Sequence, residues 1–328
     1  MISITHRKQI TIPPFAKGGL GGICGRLANA TYSNPPQSPF SKGGRFERRN
    51  KAAFSNVVFR MNILWWALLL IAQPALGAEL PRPDHIVIVI EENKSFSQII
   101  GNREAPYINK LAKRGALFTQ SYGVAHPSQP NYLALFSGST RGVTSNICPL
   151  TLSGDNLASQ LQAQGLSFTS YSESMPQAGY DGCYYGAYMR KHNPAANWKE
   201  LVAYNQPFST FPADYARLPT VAFVVPDQMN DMHDGSIERG DAWLKENIER
   251  YAQWAIKHNS LLIVTWDEDD GSSNNRVATI FVGAKVKPAQ YEQQINHYNL
   301  LHTIEEMYGF PYLGDSASAQ AIRGVWVK

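Results

Sequence analysis

Four consecutive acidic residues lie at the end of a buried apolar run. The run "LLIVTW" covers residues 261–266 and is followed directly by Asp267, Glu268, Asp269 and Asp270. A continuous apolar run is typical of a strand that is buried on both faces, as in a parallel sheet. Carboxylates this close repel and raise one another's pKa unless a cation lies among them. The spacing therefore indicates a bound counter-charge.

Two further groups of polar residues follow apolar runs in the same way. Open α/β sheets bind their ligands at the carboxyl ends of their strands. Oxygen-rich side chains gathered there favour a hard divalent cation, which we expect as counter-charge and cofactor. The alternative is a set of solvated acidic loops, with Asp234 or Asp241 as a helix N-cap. The two groups are Glu91, Glu92 and Asn93 after the run at 85–90, and Asp227, Asp231, His233 and Asp234 after the run at 221–225.

A candidate nucleophile lies in the segment "AHPSQPNY", residues 125–132. Ser128 stands between two prolines, which stiffen the turn, and we expect a helix to begin after Pro130. A helix N-terminus offers free N–H groups to an anion, above all to phosphate. A serine oxygen close to a metal ion can act as a nucleophile near neutral pH. The alternative is that Ser128 is only a helix N-cap.

The elements that position these candidate residues alternate between strands and helices along the chain. Strands followed by helices predict an α/β fold with a mostly parallel sheet, helices on both faces and a single domain. We expect Asp155 to be an N-cap and Gly165 and Gly309 to follow helix ends. The predicted strands are at 85–93, 118–124, 167–174, 221–225, 261–265 and 278–283, and the predicted helices are at 105–118, 131–138, 155–165, 237–258 and 298–309.

The N-terminal part of the chain differs from the rest. Residues 1–60 are rich in Gly, Pro, Ser and Arg without hydrophobic periodicity, and we expect a disordered or non-native leader. Residues 61–77 combine an apolar core of about ten residues with "ALGA", which is typical of a signal peptide and not of a membrane span. The catalytic domain is expected at 78–328, in a periplasmic or secreted protein.

Charge and cysteine content agree with this division. Residues 1–77 hold ten of the 30 Lys and Arg and one of the 26 Asp and Glu, which leaves 20 basic and 25 acidic residues, a net charge of −5. This charge excludes a general affinity for nucleic acid. In an exported chain, Cys148 and Cys183 are expected to form one disulfide, the alternative being two buried free thiols.

Six short motifs in order resemble a known family. The motifs are, in order, "EENKSF", "HPSQPNY", "YMRKHNP", "NDMHD", "GDAWL" and "TWDEDDG", and the similarity around them covers roughly residues 84–312. They resemble the bacterial phosphoesterase family of acid phosphatases and phospholipases C, which is part of the alkaline-phosphatase superfamily. The resemblance implies metal ligands at Glu92, Asn93, Ser128, Asp267 and Glu268. It also implies that Ser128 attacks phosphorus and forms a phosphoseryl intermediate that water hydrolyses.

Proton donors and phosphate ligands are expected among the basic residues of these motifs. Because a histidine pKa lies near the working range, His192 and His233 are the candidate donors to the leaving oxygen. Lys191 is expected to hold a phosphate oxygen, and His126 adjoins the nucleophile turn. Arg276 stands where many family members carry a histidine, and we expect it to bind phosphate and to disfavour a second metal.

The expected activity is that of a secreted, metal-dependent phosphomonoesterase of acid-phosphatase type. The substrate would be a phosphate monoester or a phospholipid headgroup, with a phosphoinositide monophosphate as one candidate. The alternative is a phosphodiesterase of phospholipase C type that uses the same serine and metal. A sulfatase or a non-catalytic metal-binding protein is a weaker alternative, because "PSQPNY" lacks the arginine of the sulfatase motif and all five mapped ligand positions are filled.

Overall fold

The computed structural model describes residues 79–327, so the expected leader and signal peptide lie outside the described residues. Within 79–327, none of the helices is both long and apolar enough to cross a bilayer. The strands are β1 His85–Glu91, β2 Ala116–Tyr122, β3 Phe168–Ser172, β4 Tyr184–Tyr185, β5 Tyr188–Met189, β6 Asn205–Pro207, β7 Val221–Val225, β8 Ser260–Trp266, β9 Arg276–Gly283, β10 Ala289–Tyr291 and β11 Ile295–Asn296. The α-helices are α1 Phe96–Ile99, α2 Pro106–Arg114, α3 Ser128–Ser137, α4 Leu157–Ala163, α5 Ile237–Lys257 and α6 His297–Tyr308.

The strands form one large mixed sheet in the order β10-β2-β9-β8-β1-β7-β3-β6, with β11 beside β2 and with β4 and β5 in a separate hairpin. Strands β8, β1, β7, β3 and β6 run parallel to one another. Strand β9 is antiparallel to both of its neighbours, β8 and β2. The prediction of a mostly parallel α/β sheet in a single domain is confirmed, with β9 as the antiparallel exception.

The central strand β1 shows why both faces of the sheet carry helices. Its side chains alternate between the faces, and both sets are apolar, so each face needs cover. Ile86, Ile88 and Ile90 pack with α3, α4 and α6 in one core. Val87 and Val89 pack with α2 and α5 in the other. The site at the end of β1 therefore rests on two cores.

Helix ends follow local chemistry, with three corrections to the predicted bounds. The helix predicted at 105–118 ends at Arg114, because strand β2 begins at Ala116. The α5 helix agrees with the prediction within one residue and begins at its N-cap Ser236, whose side chain accepts a hydrogen bond from the Arg239 N–H. The N-cap of α4 is Asn156 and not Asp155, because the Asn156 side chain accepts the Ser159 N–H at 3.0 Å. The α3 helix begins at Ser128, three residues earlier than predicted.

A disulfide joins Cys148 to Cys183, with the two Cα atoms 5.7 Å apart, which confirms the predicted pairing. It connects the loop after α3 to the β4–β5 hairpin. Strands β8, β1 and β7 are adjacent and parallel, so the polar segments that follow them meet at one edge of the sheet.

Candidate active site

Ser128 is the first residue of α3, and Pro127 occupies the N-cap position. Pro130 fits within the first helical turn because its missing N–H would have no partner there in any case. The Ser128 hydroxyl does not cap the helix. Its Oγ lies 3.0 Å from Glu92 Oε2 and 3.0 Å from Glu268 Oε1, and the side chain is 1 % exposed. The simple N-cap alternative is therefore wrong for this serine.

Two carboxylates contact this hydroxyl and a third lies beside them, because two parallel strands end side by side. Glu91 on β1 is in register with Trp266 on β8, so the next residues, Glu92 and Asp267, leave the sheet together. Ligand oxygens of Glu92, Asp267 and Glu268 all lie within 4.8 Å of one another. The Asn93 N–H donates to Asp267 Oδ1 at 3.2 Å. Four of the predicted metal-binding residues are thus brought to the candidate nucleophile.

The electrostatics of this cluster favour a cation. Burial raises the pKa of Asp267 well above its ordinary value, and Glu92 and Glu268 add to the shift. Burial likewise raises the pKa of Glu268. The buried Oδ2 atom of Asp267 has no hydrogen-bond partner among residues 79–327. Since a serine hydroxyl carries one proton for two carboxylate neighbours, the residues present fit a hard divalent cation.

The remaining two acidic residues of the 267–270 run have other tasks. The Asp269 carboxylate accepts the N–H groups of Gly271, Ser273 and Asn275 at 2.7 to 3.0 Å and so orders the loop before β9. Asp270 is exposed and accepts a hydrogen bond from Gln98 at 3.0 Å. The sequence run therefore divides into two candidate ligands and two loop residues.

His192 lies buried between two carboxylates. Its Nε2 is 2.9 Å from Glu92 Oε1, its Nδ1 is 3.2 Å from Asp231 Oδ2, and the side chain is 1 % exposed. Burial alone would lower the pKa of His192, but Glu92 and Asp231 raise it to about 9. Burial acts to raise the pKa of Glu92, and His192 and Lys191 lower it to about 2. This geometry makes His192 an internal counter-ion. Because it is buried, it is less suited than the more exposed His233 to the predicted proton donation.

His233 and Lys191 lie closer to solvent. The His233 ring is 25 % exposed, and its Nε2 lies 3.1 Å from Lys191 Nζ. Its Nδ1 lies 2.7 Å from Asp234 Oδ1. Ligand atoms of His233, His192 and Glu92 lie within 4.8 Å of one another, so Glu92 belongs to two potential metal-binding groups. His233 and Lys191 therefore lie beside Glu92 and His192, on the side of the pair that is nearer to solvent.

Of the other predicted phosphate ligands, His126 lies at the site and Arg276 does not. His126 is 47 % exposed, contacts Glu268 through Nδ1 and lies 3.4 Å from Asp269 Oδ1 through Nε2. Beside it opens a cavity of about 430 Å³ whose lining includes Lys94 and Glu268. The Arg276 Nε donates to the Thr119 carbonyl at 2.8 Å, and its guanidinium lies 4.2 Å from the centre of the Phe96 ring. Arg276 thus fastens β9 to β2.

Three residues of the site had no predicted role. The Tyr132 hydroxyl donates to Glu92 Oε1 at 2.7 Å, and its ring stacks on His192 at 5.4 Å. Tyr132 follows Ser128 by four positions on α3, and this helical spacing was an available signal. Asp231 was recognised only as part of an acidic group. His297 Nε2 lies 2.6 Å from the Asp267 carbonyl, and only the fold brings it there.

Comparison with known proteins supports the motif resemblance. A family model described as the phosphoesterase family matches residues 102–311. The chain is 48 % identical over 262 residues to a phosphatidylinositol-3-phosphatase of Mycobacterium tuberculosis. This alignment covers 78 % of this chain and 88 % of that protein. It is 31 % identical over 261 residues to a phosphate-repressible acid phosphatase of Penicillium chrysogenum, which covers 70 % of this chain. It spans 60 % of that fungal protein's length.

The fold comparison agrees with the sequence comparison. A crystal structure of an alkaline phosphatase superfamily protein from Vibrio parahaemolyticus superposes with a TM-score of 0.51 at 14 % identity. The match covers 74 % of this chain and 72 % of the other and concerns the fold alone. The resemblance seen in the motifs is thus confirmed at the level of family and fold. The chain belongs to the phosphoesterase family of phosphoester hydrolases.

Proposed function

We propose that the protein is a secreted, metal-dependent phosphomonoesterase of acid-phosphatase type that acts through a phosphoseryl intermediate on Ser128. The observation that carries this proposal is the Ser128 hydroxyl, which lies at the start of α3 and within 3.0 Å of both Glu92 and Glu268. The two carboxylates can accept the proton of this hydroxyl, and the helix N-terminus can bind the phosphate that it attacks.

The metal would be held by Glu92, Asp267 and Glu268, with the Asn93 amide and the Ser128 oxygen beside them. The unpartnered Oδ2 of Asp267 and the mutual repulsion of the three carboxylates support this donor set. When bound, a divalent cation supplies positive charge that offsets the carboxylates and lowers the pKa of the serine hydroxyl.

Ser128, Lys191 and His233 have separate roles in the proposed reaction. Ser128 Oγ gives its proton to one of the two carboxylates beside it, Glu92 or Glu268, and forms the bond to phosphorus as the bond to the ester oxygen breaks. The Ser128 N–H at the start of α3 receives a phosphate oxygen. Lys191 Nζ lies 3.1 Å from His233 Nε2, and because an ammonium group carries three N–H donors it can also bind a phosphate oxygen. His233 gives the leaving oxygen its proton and then takes one from the water that cleaves the phosphoserine.

The substrate proposal rests on the named relative. The Mycobacterium tuberculosis protein is a phosphatidylinositol-3-phosphatase, and the alignment covers 88 % of its length. We therefore propose that a headgroup phosphate monoester, such as a phosphoinositide monophosphate, is a substrate of this chain. Secretion is proposed from the expected signal peptide at 61–77 and from the disulfide, since structural disulfides persist in oxidising compartments.

The test is hydrolysis of p-nitrophenyl phosphate across pH 4 to 9, with EDTA and with divalent metals added back. We expect chelation to abolish activity and Ser128→Ala to reduce it by about 10³-fold or more, because no nucleophile remains at that position. Ser137→Ala on the same helix is the control, because its hydroxyl bonds the Leu133 and Ser139 carbonyls and accepts from Arg141 Nε, away from the carboxylates. Activity that survives Ser128→Ala would refute the serine mechanism. Turnover of p-nitrophenylphosphorylcholine alone would identify a phosphodiesterase of phospholipase C type.

A further inference from the structure

Three large apolar side chains are exposed around the disulfide, and we call them the apolar rim. Ile147 precedes Cys148 and is 40 % exposed. Tyr184 and Tyr185 follow Cys183 and are 68 % and 56 % exposed. The disulfide holds the two segments together. Tyr184 and Tyr185 are consecutive residues of β4, so their rings leave the hairpin on opposite sides, and both remain exposed. Grouped exposed apolar side chains of this kind mark an interaction surface more often than single ones do.

The apolar rim is held firmly in its exposed position. The hairpin turns at Gly186, which has a positive φ of 54°. The Tyr180 hydroxyl donates to the Tyr184 carbonyl at 2.9 Å, and the Tyr180 ring packs on Tyr185 at 6.1 Å. The Arg190 N–H donates to the Cys183 carbonyl at 3.0 Å. A surface this well braced loses little conformational entropy when it binds.

Both halves of the apolar rim are attached to the active site. The Gln129 side chain, next to Ser128, bonds the Ile147 N–H at 2.6 Å and the Ile147 carbonyl at 3.1 Å. On the other side, the Gln228 N–H donates to the Ala187 carbonyl of the hairpin at 3.1 Å, and Gln228 Nε2 lies 3.3 Å from His233 Nδ1. The two segments that carry the apolar rim are therefore hydrogen-bonded to neighbours of the candidate site, Gln129 beside Ser128 and Gln228 beside His233.

We infer that the apolar rim inserts into the interfacial layer of a phospholipid bilayer and brings the active site to phosphate headgroups there. The inference rests on the proposed function and adds the surface that meets the lipid. Tyrosine and aliphatic side chains suit this layer, where one end of the ring is apolar and the other is wet. Ser128 is only 1 % exposed, so a phosphate tethered to a membrane reaches it only if the edge of the site enters the headgroup layer.

Charge favours insertion over electrostatic attraction. The expected mature chain, residues 78–328, carries 20 basic and 25 acidic residues, so its net charge of −5 repels an anionic leaflet. The rim residues themselves are uncharged. Binding through them would therefore occur on neutral phosphatidylcholine and would persist at high salt, whereas binding through a basic patch weakens as salt screens it.

The experiment compares the wild type with a Tyr184→Ser, Tyr185→Ser double variant, with both proteins produced from the full chain. Each is assayed on p-nitrophenyl phosphate, on a phosphoinositide monophosphate in phosphatidylcholine vesicles, and by cosedimentation with the same vesicles at 0.1 M and 0.5 M NaCl. Tyr312→Ser is the matched control, because Tyr312 is 43 % exposed and lies beyond the C-terminal end of α6.

We expect the double variant to lose vesicle binding and at least about tenfold in kcat/KM on the vesicle substrate, which is a loss of about 1.4 kcal/mol or more. Its kcat/KM on p-nitrophenyl phosphate should stay within about twofold of the wild type. Undiminished vesicle binding and turnover would overturn the inference. So would an equal loss on both substrates, or a wild-type dimer that the substitutions dissociate while vesicle binding remains. A wild type that binds vesicles but hydrolyses neither substrate would instead refute the proposed function.

Discussion

Glu305 provides a stability prediction that does not depend on the active site. Its carboxyl lies in the interior, where Oε1 accepts the Leu313 N–H at 2.9 Å and Oε2 accepts the Ser316 hydroxyl at 2.6 Å. Burial raises the pKa of Glu305 from 4.5 to about 7, although these hydrogen bonds lower it in part. The folded protein therefore keeps this proton between pH 4.5 and 7, whereas the unfolded chain releases it. Stability from this group is present below pH 4.5 and is lost as the pH rises through 7.

The magnitude follows from the width of that pH window. A difference of 2.5 pKa units at about 1.36 kcal/mol per unit corresponds to about 3 kcal/mol. Glu305→Gln mimics the protonated acid, because the amide oxygen can still accept the Leu313 N–H and the NH₂ can donate to Ser316 Oγ. We expect the variant and the wild type to be equally stable at pH 4.5. At pH 8 the variant should be more stable by about 3 kcal/mol, or by roughly 6–12 °C in Tm.

Urea unfolding of both proteins, with the disulfide intact, at pH 4.5 and pH 8 measures this difference directly. Only the difference between the two proteins matters, because every other titrating group contributes to both curves. Glu292→Gln, at an exposed position, is the control. It should change the unfolding free energy by no more than about 0.5 kcal/mol at either pH. A Glu305→Gln protein that is less stable than the wild type at pH 8 would refute the claim of a buried neutral acid.

Three further outcomes test other parts of the structure. Tyr132→Phe removes the hydroxyl that donates to Glu92, so kcat on p-nitrophenyl phosphate should fall by about 10- to 100-fold, in line with about 1.5–3 kcal/mol for a hydrogen bond to a charged group. His192→Gln leaves two buried carboxylates without their counter-ion, and thermal unfolding should show a loss of about 3–5 kcal/mol. Replacing Cys148 and Cys183 by serine frees a loop whose ends are 35 residues apart, and urea unfolding should show a loss of about 4 kcal/mol.

The fold and the centre of the site could be predicted because their signals are local. The apolar run before Asp267 and the 3.6-residue periodicity of α5 each depend on neighbours in sequence, and the structure agrees with both. The order and direction of the strands depend on contacts between residues that are distant in sequence, so they are harder to predict. Nothing in "ATIFVG" distinguishes a parallel from an antiparallel strand, and the direction of β9 depends on the short connection from β8.

The errors at the site concern one helix boundary and the direction or burial of two side chains. Pro130 favoured a late start for α3, but a proline is tolerated in the first turn, and Ser128 therefore lies inside the helix. Arg276 is correctly located after the acidic loop, yet its guanidinium turns to the Thr119 carbonyl and the Phe96 ring instead of the phosphate site. The burial of His192 between Glu92 and Asp231 likewise depends on three chain segments whose approach the sequence does not encode locally.

The hydrogen bonds of the candidate site join chain segments that are far apart in sequence, so the site forms only when those segments have come together. Ser128 meets Glu92 across 36 positions and Glu268 across 140, and Asn93 meets Asp267 across 174. Such long-range contacts close late, because the entropy of every intervening loop opposes them until the central strands have paired. A partly assembled chain therefore holds isolated carboxylates and a lone hydroxyl, none of which can hydrolyse an ester. On the proposed serine mechanism, turnover begins only after these long-range contacts have closed, so its first appearance during refolding measures the assembly of the site.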